Sequence, residues 1–214
     1  MVKMVDEVLA FKDVTICFDE SVVVEKFNCS VRLGERVAIM GSSGCGKSSL
    51  LAAAVGLTPL CGGGVEVCGV EVKGGGVERV RRQVAWLPQL LELPYESVQE
   101  LFSSHFNLKV NTHLRFDIDK CGSLLERVGM DVSYLQRSWS TLSGGERQRL
   151  MVVCAVMLER KVLLLDEPTS ALDALSRGMV AELLSSLDGV TILAVTHDEE
   201  FAQSFDRVIR LWGR

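Results

Sequence analysis

A glycine-rich segment between residues 41 and 48 is suited to binding phosphate. It reads Gly41-Ser42-Ser43-Gly44-Cys45-Gly46-Lys47-Ser48 and matches the pattern G-x-x-x-x-G-K-[ST]. Glycines allow the backbone to turn its N–H groups towards a phosphate without Cβ clashes. Lys47 supplies a cation for the terminal phosphates, and the Ser48 hydroxyl is a ligand for Mg²⁺. A chance glycine-rich turn is the alternative, but the predicted flanking strand and helix favour a phosphate loop.

Cys45 lies inside this segment, close to the predicted start of a helix. A helix N-terminus lowers the pKa of a thiol, so one interpretation is a redox-sensitive cysteine. The other interpretation is a small residue that the loop tolerates, and we favour it.

A second group of polar residues follows a predicted strand. Val162–Leu165 is apolar throughout, as in a parallel strand buried on both faces, and it ends in Asp166 and Glu167. Ligands of open α/β sheets bind beyond the carboxyl ends of the strands. We therefore predict that Asp166 holds Mg²⁺ through water and that Glu167 polarises an attacking water. A solvated strand end is the alternative, and the nearby phosphate loop disfavours it.

One histidine has a comparable position. His197 comes shortly after another predicted strand, Val190–Val195. It can hydrogen-bond a γ-phosphate and position Glu167 and the water. A purely structural histidine is the alternative, but its position at a further strand end favours the functional interpretation.

Hydrophobic periodicity predicts which elements position these residues. Val65–Val72 is predicted to be a hairpin between flexible turns at Gly62–Gly64 and Gly74–Gly76. Further strands are predicted over residues 22–33, 36–40, 84–87, 162–165, 190–195 and 208–211, and helices over 50–57, 98–106, 123–128, 146–158 and 174–187. The pattern indicates one domain, with an α/β core at about 1–89 and 160–214 and a helical insertion at about 90–159.

Composition excludes several classes of protein. The chain has 214 residues, of which 48% are hydrophobic and 24% charged, so it can bury a sizeable core. A net charge of −5 argues against a nucleic-acid binder. Seven cysteines without a C-x-x-C pair indicate free thiols rather than disulfides or a zinc site. The longest apolar run, Met151–Leu158, is far below the roughly 20 residues that span a bilayer.

The segment Leu142–Arg149 identifies the family that the chain resembles. It reads Leu-Ser-Gly-Gly-Glu-Arg-Gln-Arg and resembles the signature motif of ATP-binding cassette (ABC) proteins. Ser143, Gly144 and Gly145 open a predicted helix, which makes a second anion site. A second phosphate-binding helix start indicates a site completed by another subunit. The resemblance implies that each ATP lies between one subunit's phosphate loop and the other subunit's signature.

The remaining family markers follow in order. Gln89 matches the Q-loop glutamine, which contacts Mg²⁺ and faces the membrane partner. Asp173 ends the segment Ser170-Ala171-Leu172-Asp173, which matches the D-loop at the dimer interface, and His197 matches the switch histidine. Phe18 stands where an aromatic residue stacks on adenine; an ordinary strand aromatic is the alternative.

Two departures from the family pattern are mild. Ser49 replaces a frequent threonine after Ser48, and Glu146 replaces the frequent glutamine that ends the signature. Neither change removes a catalytic group, so we expect a competent ATPase with ATP and Mg²⁺ as cofactors.

The resemblance covers nearly the whole chain and implies both fold and function. The expected fold is an α/β P-loop NTPase core of ABC type, with an N-terminal antiparallel β subdomain and an inserted α-helical subdomain. The expected function is ATP hydrolysis that drives a separate integral membrane permease, by a subunit that forms a dimer, most simply a homodimer. The subunit would lie on the cytoplasmic face of the membrane and contact the permease through Leu90–Val98 and the insertion.

Other P-loop functions fit the sequence less well. A soluble ABC ATPase, for example of the iron–sulfur assembly type, remains the main alternative because it is also a short single cassette. DNA-repair members carry long coiled coils, and the chain shows no sustained heptads. The signature motif disfavours a kinase or a GTPase.

Overall fold

The chain folds into two units that are built from discontinuous segments. The computed structural model describes residues 7–19, 21–89 and 95–211. The described residues of the first unit lie within Met1–Gln89, Arg160–Glu167 and Asp188–Arg214. Those of the second unit lie within Leu90–Glu159 and Pro168–Leu187. The domain borders near residues 90 and 159 stay a prediction.

Strands and helices are numbered in chain order. The strands are β1 (Glu7–Phe18), β2 (Ser21–Arg32), β3 (Arg36–Gly41), β4 (Gly62–Val67), β5 (Val70–Glu71), β6 (Val84–Leu87), β7 (Val162–Asp166), β8 (Thr191–Thr196) and β9 (Arg207–Leu211). The helices are α1 (Lys47–Ala54), α2 (Gly76–Arg81), α3 (Val98–Phe106), α4 (Ile118–Arg127), α5 (Gly144–Met157), α6 (Ala174–Ser185) and α7 (Glu199–Ala202).

The first unit contains an antiparallel sheet in the order β2-β1-β4-β5. The predicted apolar face of β2 is buried, with Phe27, Cys29 and Val31 pointing into the core. Phe27 meets Phe11 of β1 edge to face, with ring centroids 5.5 Å apart. Leu33, predicted to share this face, lies beyond the end of β2 and is 55% exposed.

The same unit contains a parallel sheet in the order β6-β7-β8-β3-β9. Every residue of β7 and β8 is buried, which explains why both strands are continuous apolar runs. The structure thus has an α/β core with an antiparallel β layer and a set of helices, and the predicted fold class is confirmed.

Of the two glycine triplets predicted to be turns, Gly62–Gly64 lies in a strand, whereas Gly74 and Gly75 do lie in a turn. Gly62–Gly64 belongs to β4 and pairs with β1, so the prediction of a turn there was wrong. The tight turn of the hairpin is Cys68-Gly69 instead, where φ is +49° and +72°. Gly74–Gly76 leads into α2, a short helix that the sequence pattern did not reveal.

The second unit is helical in its described part, and polar caps set where its helices begin. Ser97 caps α3 by accepting a hydrogen bond from the Glu100 N–H. Asp117 caps α4 through the Asp119 and Lys120 N–H groups, so this helix begins five residues before the predicted residue 123. Within the described ranges, no helix is long and apolar enough to cross a bilayer.

Gly63 is the glycine of β4 whose replacement should cost most. Its φ is +76°, and an added Cβ would lie 2.3 Å from the carbonyl oxygen of Asp13. We expect Gly63→Ala to lower the free energy of unfolding by about 2 kcal/mol or more, measured by urea titration. The neighbouring Gly64 has open space around its Cβ position. Gly64→Ala should therefore change stability by less than about 0.5 kcal/mol, and equal losses for the two variants would contradict the argument.

Candidate active site

A cavity of about 650 Å³ lies in the first unit, at the carboxyl edge of the parallel sheet. Four neighbouring strands, β6, β7, β8 and β3, run in the same direction and end there. The residues that line it come from the β1–β2 hairpin, the end of β3, the loop between β3 and α1, the first turn of α1, and the segments that follow β6, β7 and β8: Phe18, Val23, Gly41, Ser42, Ser43, Gly44, Gly46, Lys47, Ser48, Ser49, Gln89, Glu167 and His197. Its size suits a small-molecule ligand.

The predicted phosphate loop joins β3 to α1 and forms one wall of the cavity. Gly44 and Gly46 adopt φ values of +80° and +93°, which only glycine takes without strain. An added Cβ on Gly46 would lie 2.4 Å from a methyl group of Val24, so the loop packs directly onto β2. Cys45 is 5% exposed and does not belong to the cavity lining.

Lys47 is the first residue of α1, and its side chain is folded back along the loop. Its Nζ donates hydrogen bonds to the carbonyl oxygens of Gly41 (2.9 Å) and Ser42 (3.0 Å). The residue is only 8% exposed. An ammonium group has three donors, so one remains for a ligand while the other two fix its position.

Asp166 and Ser48 bring two oxygen atoms together beside this lysine. The Ser48 hydroxyl donates to Asp166 Oδ1 over 3.0 Å, and Asp166 is 4% exposed. Burial raises the pKa of the Asp166 carboxyl, an effect that the Ser48 hydrogen bond opposes and the nearby Glu167 carboxylate reinforces. Hard oxygen donors of this kind are what Mg²⁺ prefers, so the donor set fits the predicted metal.

Glu167 and His197 form a hydrogen-bonded pair at the ends of β7 and β8. His197 Nδ1 lies 2.8 Å from Glu167 Oε2, and the His197 N–H donates to the same oxygen over 3.3 Å. Glu167 is 6% exposed and has a φ of +50°, which is strained for a residue with a side chain. Its own N–H donates to the Val195 carbonyl oxygen (2.9 Å), which holds this conformation.

Three further residues complete the cavity wall. Gln89 follows β6 by two residues, and Phe18 ends β1 with 49% of its surface exposed. Val23 also lines the cavity, and sequence reasoning missed it. Only the β1–β2 register, which pairs Phe18 with Ser21, brings Val23 to this wall. A single strand pattern does not reveal that register.

The predicted signature residues lie in the second unit. Ser143 is the N-cap of α5, followed by Gly144 and Gly145 in the first turn. A side chain at Gly145 would come within 3.0 Å of the Ala171 carbonyl oxygen, which explains glycine at this position. The first N–H groups of a helix have no intrahelical partner, so this turn can bind an anion.

Gln148 connects the signature helix to the predicted D-loop within the same unit. Its Oε1 accepts from the Ala171 N–H over 2.9 Å, and its Nε2 donates to Ser170 Oγ over 3.3 Å. Asp173 then caps α6 by accepting from the Ser176 N–H over 2.9 Å. The signature and the D-loop are therefore one connected arrangement.

Comparison with known proteins agrees with this geometry. A family model described as ABC transporter matches residues 24–170, which is more than half of the chain. The chain belongs to the ABC transporter family. Because ABC ATP-binding subunits hydrolyse ATP, the chain is an ATP-binding ATPase, as its sequence predicted.

Two curated relatives and one solved structure show how far the similarity extends. The chain is 32% identical over 191 residues to the phosphonates import ATP-binding protein PhnC of Trichormus variabilis, covering 82% of this chain and 76% of the relative. It is 34% identical over 183 residues to the taurine import ATP-binding protein TauB of Escherichia coli, covering 84% and 69%. A dimeric ATP-binding cassette with bound ADP and phosphate superposes with a TM-score of 0.83 at 25% identity, covering 95% and 94%.

Asp166 offers a test of the electrostatics of this ABC ATPase site. A carboxyl whose pKa is raised on folding favours folding while neutral, and this contribution is lost as the pH rises through the raised value. Wherever its carboxyl is ionised, Asp166 should therefore destabilise the fold. We expect Asp166→Asn to raise the free energy of unfolding by about 1 kcal/mol in urea titrations without nucleotide or magnesium.

A second aspartate should respond with the opposite sign. The Arg36 guanidinium, 2.7 Å from Asp206 Oδ1, holds the pKa of Asp206 below its usual range. Its stabilising contribution is present at neutral pH and lost on acidification. Asp206→Asn should lose up to about 1 kcal/mol at pH 7. If both variants were destabilised alike, burial would not be the dominant effect on Asp166.

Proposed function

We propose that this ABC ATPase is the nucleotide-binding subunit of a transporter, which dimerises around two ATP molecules and drives a separate integral membrane permease. The observation that carries the proposal is the cavity where Lys47, Glu167 and His197 meet at the sheet edge. The signature helix start at Ser143, in the other unit, supplies a second anion site. Two identical chains can each provide one half of every ATP site, so a homodimer is the simplest assembly.

The phosphate loop would bind the nucleotide, and Phe18 would stack on its base. The backbone N–H groups between Gly41 and Ser49 surround the phosphates, while the free donor of Lys47 contacts the terminal ones. Ser48, Asp166 and Gln89 would hold Mg²⁺, which neutralises phosphate charge when bound. The 3.0 Å approach of Ser48 and Asp166 supports this assignment.

Glu167 would act as the general base and His197 would position it. The carboxylate lines the cavity and is almost fully buried, which suits proton transfer from a water held there. Two hydrogen bonds from His197 fix the orientation of Glu167 Oε2. The other side of the imidazole is left to contact the γ-phosphate.

The second subunit would complete each site with Ser143, Gly144, Gly145 and Asp173. All four belong to one unit, in which Gln148 links the signature helix to the segment before Asp173. The dimeric arrangement of a similar cassette with bound ADP and phosphate supports this assembly.

The permease would be contacted from the cytoplasmic face of the membrane. The names of PhnC and TauB as import ATP-binding proteins support a role in transport. We place the contact at the helical unit and at Leu90–Val98, of which residues 90–94 lie outside the described residues. The proposal includes no nucleic-acid partner, in keeping with the net charge of −5.

Replacement of the proposed general base gives a direct test of catalysis. We expect Glu167→Gln to bind ATP but to hydrolyse it at least about 100-fold more slowly, because the amide cannot accept the proton from water. ATP should then accumulate in a dimer detectable by size-exclusion chromatography. Glu78→Gln, which removes an exposed carboxylate of α2, is the matched control. Turnover by Glu167→Gln at the control rate would refute the assignment.

Affinity capture tests the transport role separately. Tagged Glu167→Gln chain, purified with ATP from detergent-solubilised membranes, should carry a stoichiometric polytopic membrane protein that mass spectrometry identifies. That permease would also indicate the cargo and the direction of transport. Capture from the soluble fraction is the control. A soluble partner in stoichiometric amount, with no membrane protein, would instead indicate a soluble ABC ATPase such as one for iron–sulfur assembly.

A further inference from the structure

Glu146 is the third residue of α5, and its carboxylate takes part in the cap of that helix. The Ser143 N–H donates to Glu146 Oε2 over 2.8 Å, and the Glu146 N–H donates to Ser143 Oγ over 3.2 Å. This reciprocal pair is a capping box. It fixes the Ser143 hydroxyl as an acceptor towards the helix, which leaves its single proton to be donated outwards.

The other carboxylate oxygen of Glu146 is also engaged. The Tyr134 hydroxyl donates to Glu146 Oε1 over 2.8 Å, and Arg137 Nη1 lies 3.5 Å from the same oxygen. The Arg137 guanidinium is centred 3.7 Å above the Tyr134 ring, a cation–π arrangement. Glu146, Tyr134 and Arg137 therefore form one cluster beside the signature serine, here named the signature clamp.

The backbone that carries Tyr134 and Arg137 is itself well anchored. Asp131 begins the 3₁₀ turn Val132–Gln136 by accepting from the Ser133 N–H over 2.8 Å. The Arg137 N–H donates to the Tyr134 carbonyl oxygen (3.0 Å), and the Arg137 carbonyl oxygen accepts from the Val98 N–H (3.1 Å). The Arg137 guanidinium is therefore carried by a segment whose backbone is hydrogen-bonded at both ends.

A carboxylate at this position creates an electrostatic problem. The hydrogen bond from the Ser143 backbone, followed by that from Tyr134, holds the pKa of Glu146 below its usual range, so the group is ionised at neutral pH. A full negative charge then lies within the first turn of a helix that would receive a phosphate. A negative charge at this helix start would repel a phosphate bound there. A glutamine, which the family often has here, would cap the helix without that charge.

We propose that Arg137 is a positioning residue that neutralises Glu146, so that this carboxylate can hold the signature Ser143 without repelling the triphosphate bound by a second copy of the chain. The inference rests on the proposed dimer and deepens it. The 3.5 Å ion pair and the ring contact with Tyr134 place the positive charge on the carboxylate oxygen that the cap does not use. The charge requirement exists only because residue 146 is Glu rather than Gln.

A coupled pair of substitutions tests the signature clamp in the Glu167→Gln chain, where ATP-bound dimer can be titrated by sedimentation velocity. We expect Arg137→Gln to raise the ATP concentration at half-dimerisation by about fivefold or more. Adding Glu146→Gln should bring it back to within about twofold of the parent, because no charge then needs neutralising. Arg137→Lys, which keeps the charge but loses the planar contact with Tyr134, should lie between the parent and Arg137→Gln.

Arg115→Gln is the matched control for the loss of one arginine charge. Arg115→Gln removes another exposed arginine charge from the same unit and should leave the titration unchanged. If Arg137→Gln has no effect, or the same effect with Gln at position 146, the inference is overturned. An Arg137→Lys chain as impaired as Arg137→Gln would overturn it too. A parent that stays monomeric at saturating ATP would instead overturn the proposed dimer, and the inference with it.

Discussion

The parallel pairing of β6, β7, β8 and β3 is the constraint on which the candidate active site depends. Parallel strands end at the same edge of the sheet, so the pairing alone brings residues that are far apart in sequence close together. The pairing extends one residue past β7, where the Glu167 N–H donates to the Val195 carbonyl oxygen. That bond holds Glu167 at a positive φ and fixes the direction of its side chain towards His197. Backbone pairing in the sheet thus determines the position of the proposed general base.

This edge gathers charge that is almost fully buried. Lys47, Asp166 and Glu167 are each less than a tenth exposed, and buried charges are unfavourable unless they are paired or hydrogen-bonded. The fold meets this requirement with its own groups: loop carbonyls for Lys47, a hydroxyl for Asp166, and His197 for Glu167. Burial of these charges lowers the stability of the fold. It also leaves the same groups in place to bind phosphate and metal. Burial of the Asp166 carboxyl, which raises its pKa, contributes to this cost in stability.

The sequence predicted most of this edge because its residues follow local rules. A phosphate loop between strand and helix, and polar residues at the ends of fully apolar strands, can be recognised one segment at a time. Val23 was not predicted, because its place in the cavity wall depends on the register of the β1–β2 hairpin, which is a relation between two segments. The strand at Gly62–Gly64 was not predicted for a related reason. Glycine composition indicates a turn, whereas pairing with β1 and the close approach of Gly63 to Asp13 decide in favour of a strand.

The two glutamates near the expected phosphates illustrate how surroundings assign different roles to one side chain. A cap must stay ionised and fixed, and Glu146 meets both conditions because Ser143, Tyr134 and Arg137 take up its two oxygens. A general base must instead lie beside the water that it deprotonates, and it benefits from burial and from a partner that fixes its orientation. Glu167 has both, being 6% exposed and bonded to a histidine. Under the proposal made above, Glu146 depends on Arg137 and Tyr134, which precede it by nine and twelve residues, and the signature motif alone does not reveal that dependence.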